Sequence, residues 1–145
     1  MCVDPPSEMW DRYRGRHHPQ SYALQAQGHV RDLRPPVDDP DAILVGEDEH
    51  GIAAVVAFGW EPREQHYMIQ VVARALRRAG DRCGAEALQW ALTVLAAERL
   101  FDDGDESDVY ARIDPENEPS KRLFSSMDFE HIEDDGDMEL WARLV

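Results

Sequence analysis

Between residues 85 and 100 the apolar side chains Leu88, Ala91, Leu92, Leu95 and Ala96 recur at the i, i+3, i+4, i+7, i+8 spacing of one helix face. That spacing predicts an amphipathic helix lying on a core. Upstream the period changes. Residues 42–46 and 52–60 are apolar runs separated by the polar stretch 47–51, which ends in glycine, and together they predict a hairpin. After a loop at 61–65, residues 66–73 predict a third strand. Downstream, 109–113 alternates as a short strand. Residues near 116–127 predict a helix capped by Asp114 or Asn117, with Leu123 and Phe124 buried. Residues 129–133 and 138–144 predict a closing hairpin around the turn 134–137. Before all of these, Trp10, Tyr13, Tyr22, Leu24, Val30 and Leu33 lie among polar positions and predict one or two short helices, interrupted at His18-Pro19 and Gly28. Three prolines between 35 and 40 predict a loop, because proline sustains neither a helix nor a sheet ladder.

This order of elements predicts one α+β domain over residues 1–145, a single mixed β-sheet with flanking helices. A chain of 145 residues is long enough to close one hydrophobic core. No apolar run reaches the length of a membrane span. The first eight residues lack the basic and apolar regions of a secretory signal, and a cytoplasmic location is expected. Cys2 and Cys83 do not make a disulfide framework, and no Cys/His cluster has zinc spacing, so no metal site is expected.

Charge sharpens the reading. Thirty acidic residues stand against 15 basic ones, a net charge of −15, and Lys121 is the only lysine. A surface this acidic repels nucleic-acid phosphates and attracts cationic small molecules or basic peptide segments, although acidity can also serve solubility alone. Against that background Arg74, Arg77, Arg78 and Arg82 fall within nine residues. They flank Ala79-Gly80-Asp81-Arg82-Cys83-Gly84-Ala85, which opens the long helix. Free N–H groups at a helix start, beside glycines and arginines, suit a phosphate-bearing ligand. An ordinary glycine-containing turn with solvated arginines has the same composition.

The stretch resembles the coenzyme A-binding motif of the GNAT (Gcn5-related) N-acetyltransferases, in which (Gln/Arg)-x-x-Gly-x-(Gly/Ala) follows a strand. Gly84 aligns with its last position, Val72-Ala73-Arg74 with the strand end and Leu88 with the leucine that follows. Ala79 stands at the Gln/Arg position, Arg82 at the central glycine and Arg74 at a common valine. A second stretch, residues 113–130, resembles the family's strand followed by Asn-x-x-(Ala/Ser)-x-x-Leu-(Tyr/Phe)-x-x-x-Gly-Phe-Glu. Asn117, Ser120, Leu123, Phe129 and Glu130 match in register. Asp128 stands where the family has glycine, and Phe124 where many members carry a proton-donating tyrosine.

What the resemblance implies is an acetyl-coenzyme A-dependent enzyme of GNAT-like fold that acylates a primary amine by direct attack. The pantetheine would pair with the backbone of Val72, Ala73 and Arg74. The pyrophosphate would rest on Ala79 to Ala85, with Arg78 or Arg82 supplying positive charge, and Asn117 and Phe124 would line the cofactor's path. A backbone N–H near Val72 would stabilise the oxyanion. Glu61, Glu64, His66, Tyr67 and Tyr110 are candidates for proton removal, with Tyr110, Tyr67 and Glu64 put forward. Tyr110 and Tyr67 can also donate the proton that Phe124 cannot. Acyl-coenzyme A and an amine, a small cationic molecule or a basic peptide, are the expected partners, with no nucleic acid or membrane, and a homodimer is left open. A GNAT-fold binding or regulatory module without catalysis is the alternative, and an unrelated small α+β interaction domain is a further one.

Overall fold

The computed structural model describes residues 21–34, 41–75, 78, 80–99 and 108–144. The aromatic positions expected in the first twenty residues, the proline loop, Arg77, Ala79 and the acidic stretch 102–107 lie outside them. The elements are α1 (Ser21–Asp32), β1 (Ala42–Asp48), β2 (Gly51–Glu61), β3 (His66–Arg74), α2 (Cys83–Arg99), β4 (Asp108–Ile113), α3 (Glu118–Ser125), β5 (Glu130–Asp135) and β6 (Met138–Leu144). The strands form one six-stranded sheet in the order β1-β2-β3-β4-β6-β5. Every neighbouring pair is antiparallel except β3 and β4, which run parallel and are joined through α2. The expected α+β class, with one mixed sheet and flanking helices, is the architecture found.

The helical stripe read from the sequence is the face that buries. Leu88, Ala91, Leu92 and Leu95 of α2 meet Val56 and Phe58 of β2, Tyr67 and Ile69 of β3, and Val109, Ala111 and Ile113 of β4. Phe124 of α3 and Phe129 complete this core, their rings edge-to-face with centroids 4.9 Å apart. The opposite sheet face is covered by α1, where Val30, with Leu33 just past the helix end, packs with Ala57, Val71, Ala73 and Ile43. Alternate residues of β2 therefore serve two cores, Val56 and Phe58 on the α2 side and Ala57 on the α1 side, as the two-residue strand period requires.

The alternation breaks once in β3. Ala57 pairs with Val71 and Phe58 with Ile69, so two steps of β3 oppose one step of β2 and Gln70 is the extra residue of a β-bulge. Tyr67, Ile69 and Val72 consequently face α2, while Val71 and Ala73 face α1. Gly59 lies beneath the bulge. A Cβ there would sit 2.6 Å from Asp41 Oδ1 and 2.9 Å from Gln70 Nε2, so the missing side chain leaves room for both. Asp41 Oδ1 in turn accepts the Trp60 N–H at 3.0 Å.

The helix α3 starts on Asn117, whose side chain accepts the Ser120 N–H at 3.1 Å. At its far end Phe129 N–H donates to Phe124 O and Asp128 N–H to Ser125 O, the paired bonds of a Schellman closure. Asp128 holds φ at 63°, the left-handed region where glycine is favoured. The departure from the family's glycine therefore carries a backbone cost. Because Asp128 is exposed, Asp128→Gly should raise unfolding stability by about 1 kcal/mol, seen as a higher urea midpoint at unchanged slope. An unchanged or lower midpoint would refute that assignment of strain.

Candidate functional site

The bulge at Gln70 determines where the sheet opens. β3 and β4 pair at Tyr67 with Val109, Met68 with Tyr110 and Ile69 with Ala111, and at no position beyond. From Gln70 onward β3 stays with β2, whereas Arg112 and Ile113 stay with β6. A bulge bends its strand and increases its twist, so the two parallel strands splay at that residue. The splay leaves one edge of the β3 backbone at 70–74 without a sheet partner.

A cavity of about 220 Å³ occupies the splay. Its walls are Ile69, Gln70, Val71 and Val72 of β3 and Ala111, Arg112 and Ile113 of β4. Asp114, Asn117, Ser120 and Phe124 line the side toward α3, and Ala26 and His29 of α1 line the other. Since α1 and α2 cover opposite faces, the opening is a slot through the sheet. It offers main-chain polar groups along one wall and apolar side chains around them.

The structure brings several sequence-predicted residues together here. Val72, Asn117 and Phe124 line the slot. Phe124 is buried and presents a phenyl ring with no proton to give. Ala73 faces the α1 core, one residue beyond the slot. Tyr67 lies elsewhere, packed in the α2-side core against Phe58 and Trp60, with ring centroids 6.5 and 4.9 Å away. Tyr110 is on the α1 face beside His66, and Glu64 belongs to the turn just before β3.

The described residues before α2 show an unexpected charge pattern. Gly80 has φ at 90°, a value that glycine takes without strain, and turns the chain into the helix. Asp81 Oδ1 accepts the Cys83 N–H at 2.8 Å, so a carboxylate already occupies one free donor of the helix start. Asp81 Oδ2 also lies 2.6 Å from Arg78 Nε, and Arg78 Nη1 reaches Asp48 Oδ2 at 3.4 Å. Arg74 Nη1 donates to Arg78 O at 2.7 Å, bracing the loop. Arg82 is exposed, and Ala85 is half-buried behind it. Gly84 is buried, but a Cβ there would make only an ordinary contact with Arg74 Cδ at 3.7 Å. Cys83 is a free, half-buried thiol.

Sequence reasoning missed Gln70, His29, Arg112 and Asp114. Gln70 carries a signal in retrospect, a lone amide inside an apolar strand run with glycine on the neighbouring strand. His29, Arg112 and Asp114 carry none, because only tertiary packing turns them toward one opening.

Comparison with known proteins agrees with this geometry. No family model matches the chain, and no curated protein matches it in sequence. Among solved structures it is similar to the PaiA N-acetyltransferase of Thermoplasma acidophilum in complex with coenzyme A. That match has a TM-score of 0.63 at 8% identity, over 95% of this chain and 87% of that one. The ribosomal-protein-alanine N-acetyltransferase of Brucella melitensis gives 0.58 at 19% identity, over 86% and 77%. PH1933 of Pyrococcus horikoshii gives 0.59 at 13% identity over 71% of this chain, which spans 64% of that protein's length. The class is thereby defined as the GNAT fold of acyl-coenzyme A N-acyltransferases, the family that the two sequence motifs resemble.

Proposed function

We propose that the chain is an N-acetyltransferase that moves the acetyl group of acetyl-coenzyme A to an amine, and that it acts in the cytoplasm. The observation that carries this reading is the slot at Gln70, lined from α1 on one side and from α3 on the other and edged by unpaired β3 backbone. A thioester entering from the α2 face and an amine entering from the α1 face can meet there without a covalent enzyme intermediate. The similarity to the coenzyme A complex from Thermoplasma acidophilum agrees with such a cofactor.

In this reading the pantetheine amides pair with the free edge of Val72, Ala73 and Arg74. The pyrophosphate lies at the start of α2, over Gly80 to Ala85. A backbone N–H of the bulged segment donates to the thioester oxygen as charge develops on it, fixed beforehand so that little reorganisation is needed. Asn117, held by its capping bond, borders the pantetheine. Phe124 excludes water from the thioester and donates nothing. The departing thiol has an ordinary pKa near the cysteine value of about 8.5, so it can leave as an anion near neutral pH unaided. His29 stands on the amine's side of the slot, where an ammonium must lose a proton before attack. The acidic chain favours a cationic acceptor through long-range attraction.

A second reading is a GNAT-fold binding module without catalysis. Asp81 favours it, because its carboxylate already takes a helix-start N–H and the charge of Arg78. Titration with acetyl-coenzyme A separates the two readings. For the enzyme, ligand at a hundred times Kd should stabilise the native state by about 2.7 kcal/mol, and an acceptor screen should release free thiol. An unmoved melting temperature at millimolar acetyl-coenzyme A would exclude the enzyme.

A further inference from the structure

The lining of the slot narrows the choice of the group that takes the acceptor's proton. Three of its side chains carry charge or titrate: His29, Arg112 and Asp114. A guanidinium keeps its proton in a protein and has no lone pair to offer, so Arg112 cannot be the base. Its Nε is in any case held by Asp135 of β5. Asp114 Oδ1 accepts the Glu116 N–H at 2.8 Å. A carboxylate is a weak base at neutral pH, so it attracts an ammonium without deprotonating it. Tyr110, Tyr67 and Glu64, put forward from the sequence, are not among the lining residues.

His29 is the remaining group, and the helix fixes where it stands. Ala26 and His29 lie one turn apart on α1, and both line the slot. Val30, the next residue, packs into the α1-side core with Leu33, whose N–H donates to His29 O at 3.0 Å. Rolling α1 to turn His29 away would uncover Val30. The His29 side chain has no hydrogen bond or ion pair among the described residues. It is exposed, so the ring meets water as well as the slot. A neutral imidazole keeps one ring nitrogen free to accept a proton, and histidine both takes and releases protons near neutral pH.

We propose that His29 is the general base of the transfer, with Asp114 Oδ2 holding the acceptor's ammonium beside it. An N–H bond of the ammonium breaks, and the proton passes to a ring nitrogen of His29. The lone pair thus freed attacks the thioester carbon. When the tetrahedral intermediate collapses, the C–S bond breaks and sulfur leaves with the bonding pair. The imidazolium then returns its proton to water. This role rests on the acyl-transfer reading, and the two can fail separately.

Two amines separate proton removal from any other role. Butylamine is almost wholly an ammonium at neutral pH. In trifluoroethylamine the fluorines draw electrons from nitrogen and leave it largely unprotonated, so no proton need be removed before attack. His29→Gln keeps a polar side chain that cannot serve as a base. In thiol release from acetyl-coenzyme A, this variant should lose about a hundredfold in kcat with butylamine and no more than about threefold with trifluoroethylamine. Its affinity for acetyl-coenzyme A should stay that of the parent. Turnover by the parent together with equal losses for the two amines, or with no loss, overturns His29 as the base and spares the acyl-transfer reading. A parent chain that releases no thiol with either amine removes that reading and the role of His29 with it.

Discussion

A chain from which Gln70 has been deleted is expected to fold and to lose coenzyme A. Removing the extra residue makes the β2–β3 register continuous, with Ile69 opposite Phe58 and Val71 opposite Ala57 in adjacent steps. Side-chain alternation then runs unbroken, so Tyr67, Ile69 and Val72 still face α2 and Val71 and Ala73 still face α1. Both cores are kept. What disappears is the bend, and a straight β3 can continue its ladder with β4 beyond Ala111. The backbone groups meant for pantetheine would then pair within the sheet. Affinity for acetyl-coenzyme A should fall by at least about a hundredfold, the value of two or three net hydrogen bonds. Cooperative urea unfolding of the variant, measured alongside, separates a closed slot from a lost fold. A variant that folds and binds as the parent does would show that the cofactor does not use this opening.

The second large effect is expected at Gly84. Its backbone conformation is one that any residue adopts in a helix, and the free protein has room for a Cβ, 3.7 Å from Arg74 Cδ. Nothing in the free structure demands glycine there. If the position is kept small for a ligand, the size of the substituent should decide the outcome. Gly84→Ala should add about 0.5–1 kcal/mol of stability from helix propensity and leave binding nearly intact. Gly84→Val holds branched methyl groups over the helix start, where a pyrophosphate must approach the backbone. Its affinity for acetyl-coenzyme A should drop by about ten- to a hundredfold with the melting temperature retained. Equal affinities for the valine variant and the parent would move the phosphates away from this loop.

The helix over 85–100 was legible because its five apolar positions, from Leu88 to Ala96, keep one period, and burial depends on that period. The hairpins were legible for the same reason. The sheet class followed from element order, since strands separated by a helix long enough for a crossover can run parallel. The start of α2 was legible in composition, Gly80 and Gly84 among arginines, and so was the cap at Asn117.

Composition could not say that Asp81 would close on Arg78 and the helix start. A carboxylate and a guanidinium three residues apart can pair or part, and the turn made by Gly80 decides which. The role given to Tyr67 shows the same limit. Its position beside the parallel ladder put it near the chemistry, but the strand's two-residue period turned its ring into the α2-side core.

The sequence by itself determined the elements, their order and the two motifs, because local periodicity and turn chemistry act between residues close in the chain. It determined the acidity, which depends on residue counts only. The slot was decided by tertiary structure. One extra residue in β3, measured against its partner strand, makes the bulge, and a register mismatch exists only between two strands. The juxtaposition of His66 with Tyr110, 44 positions apart in the chain, arises likewise from parallel pairing. Interactions between distant residues become definite only when the sheet fixes which of them stand side by side.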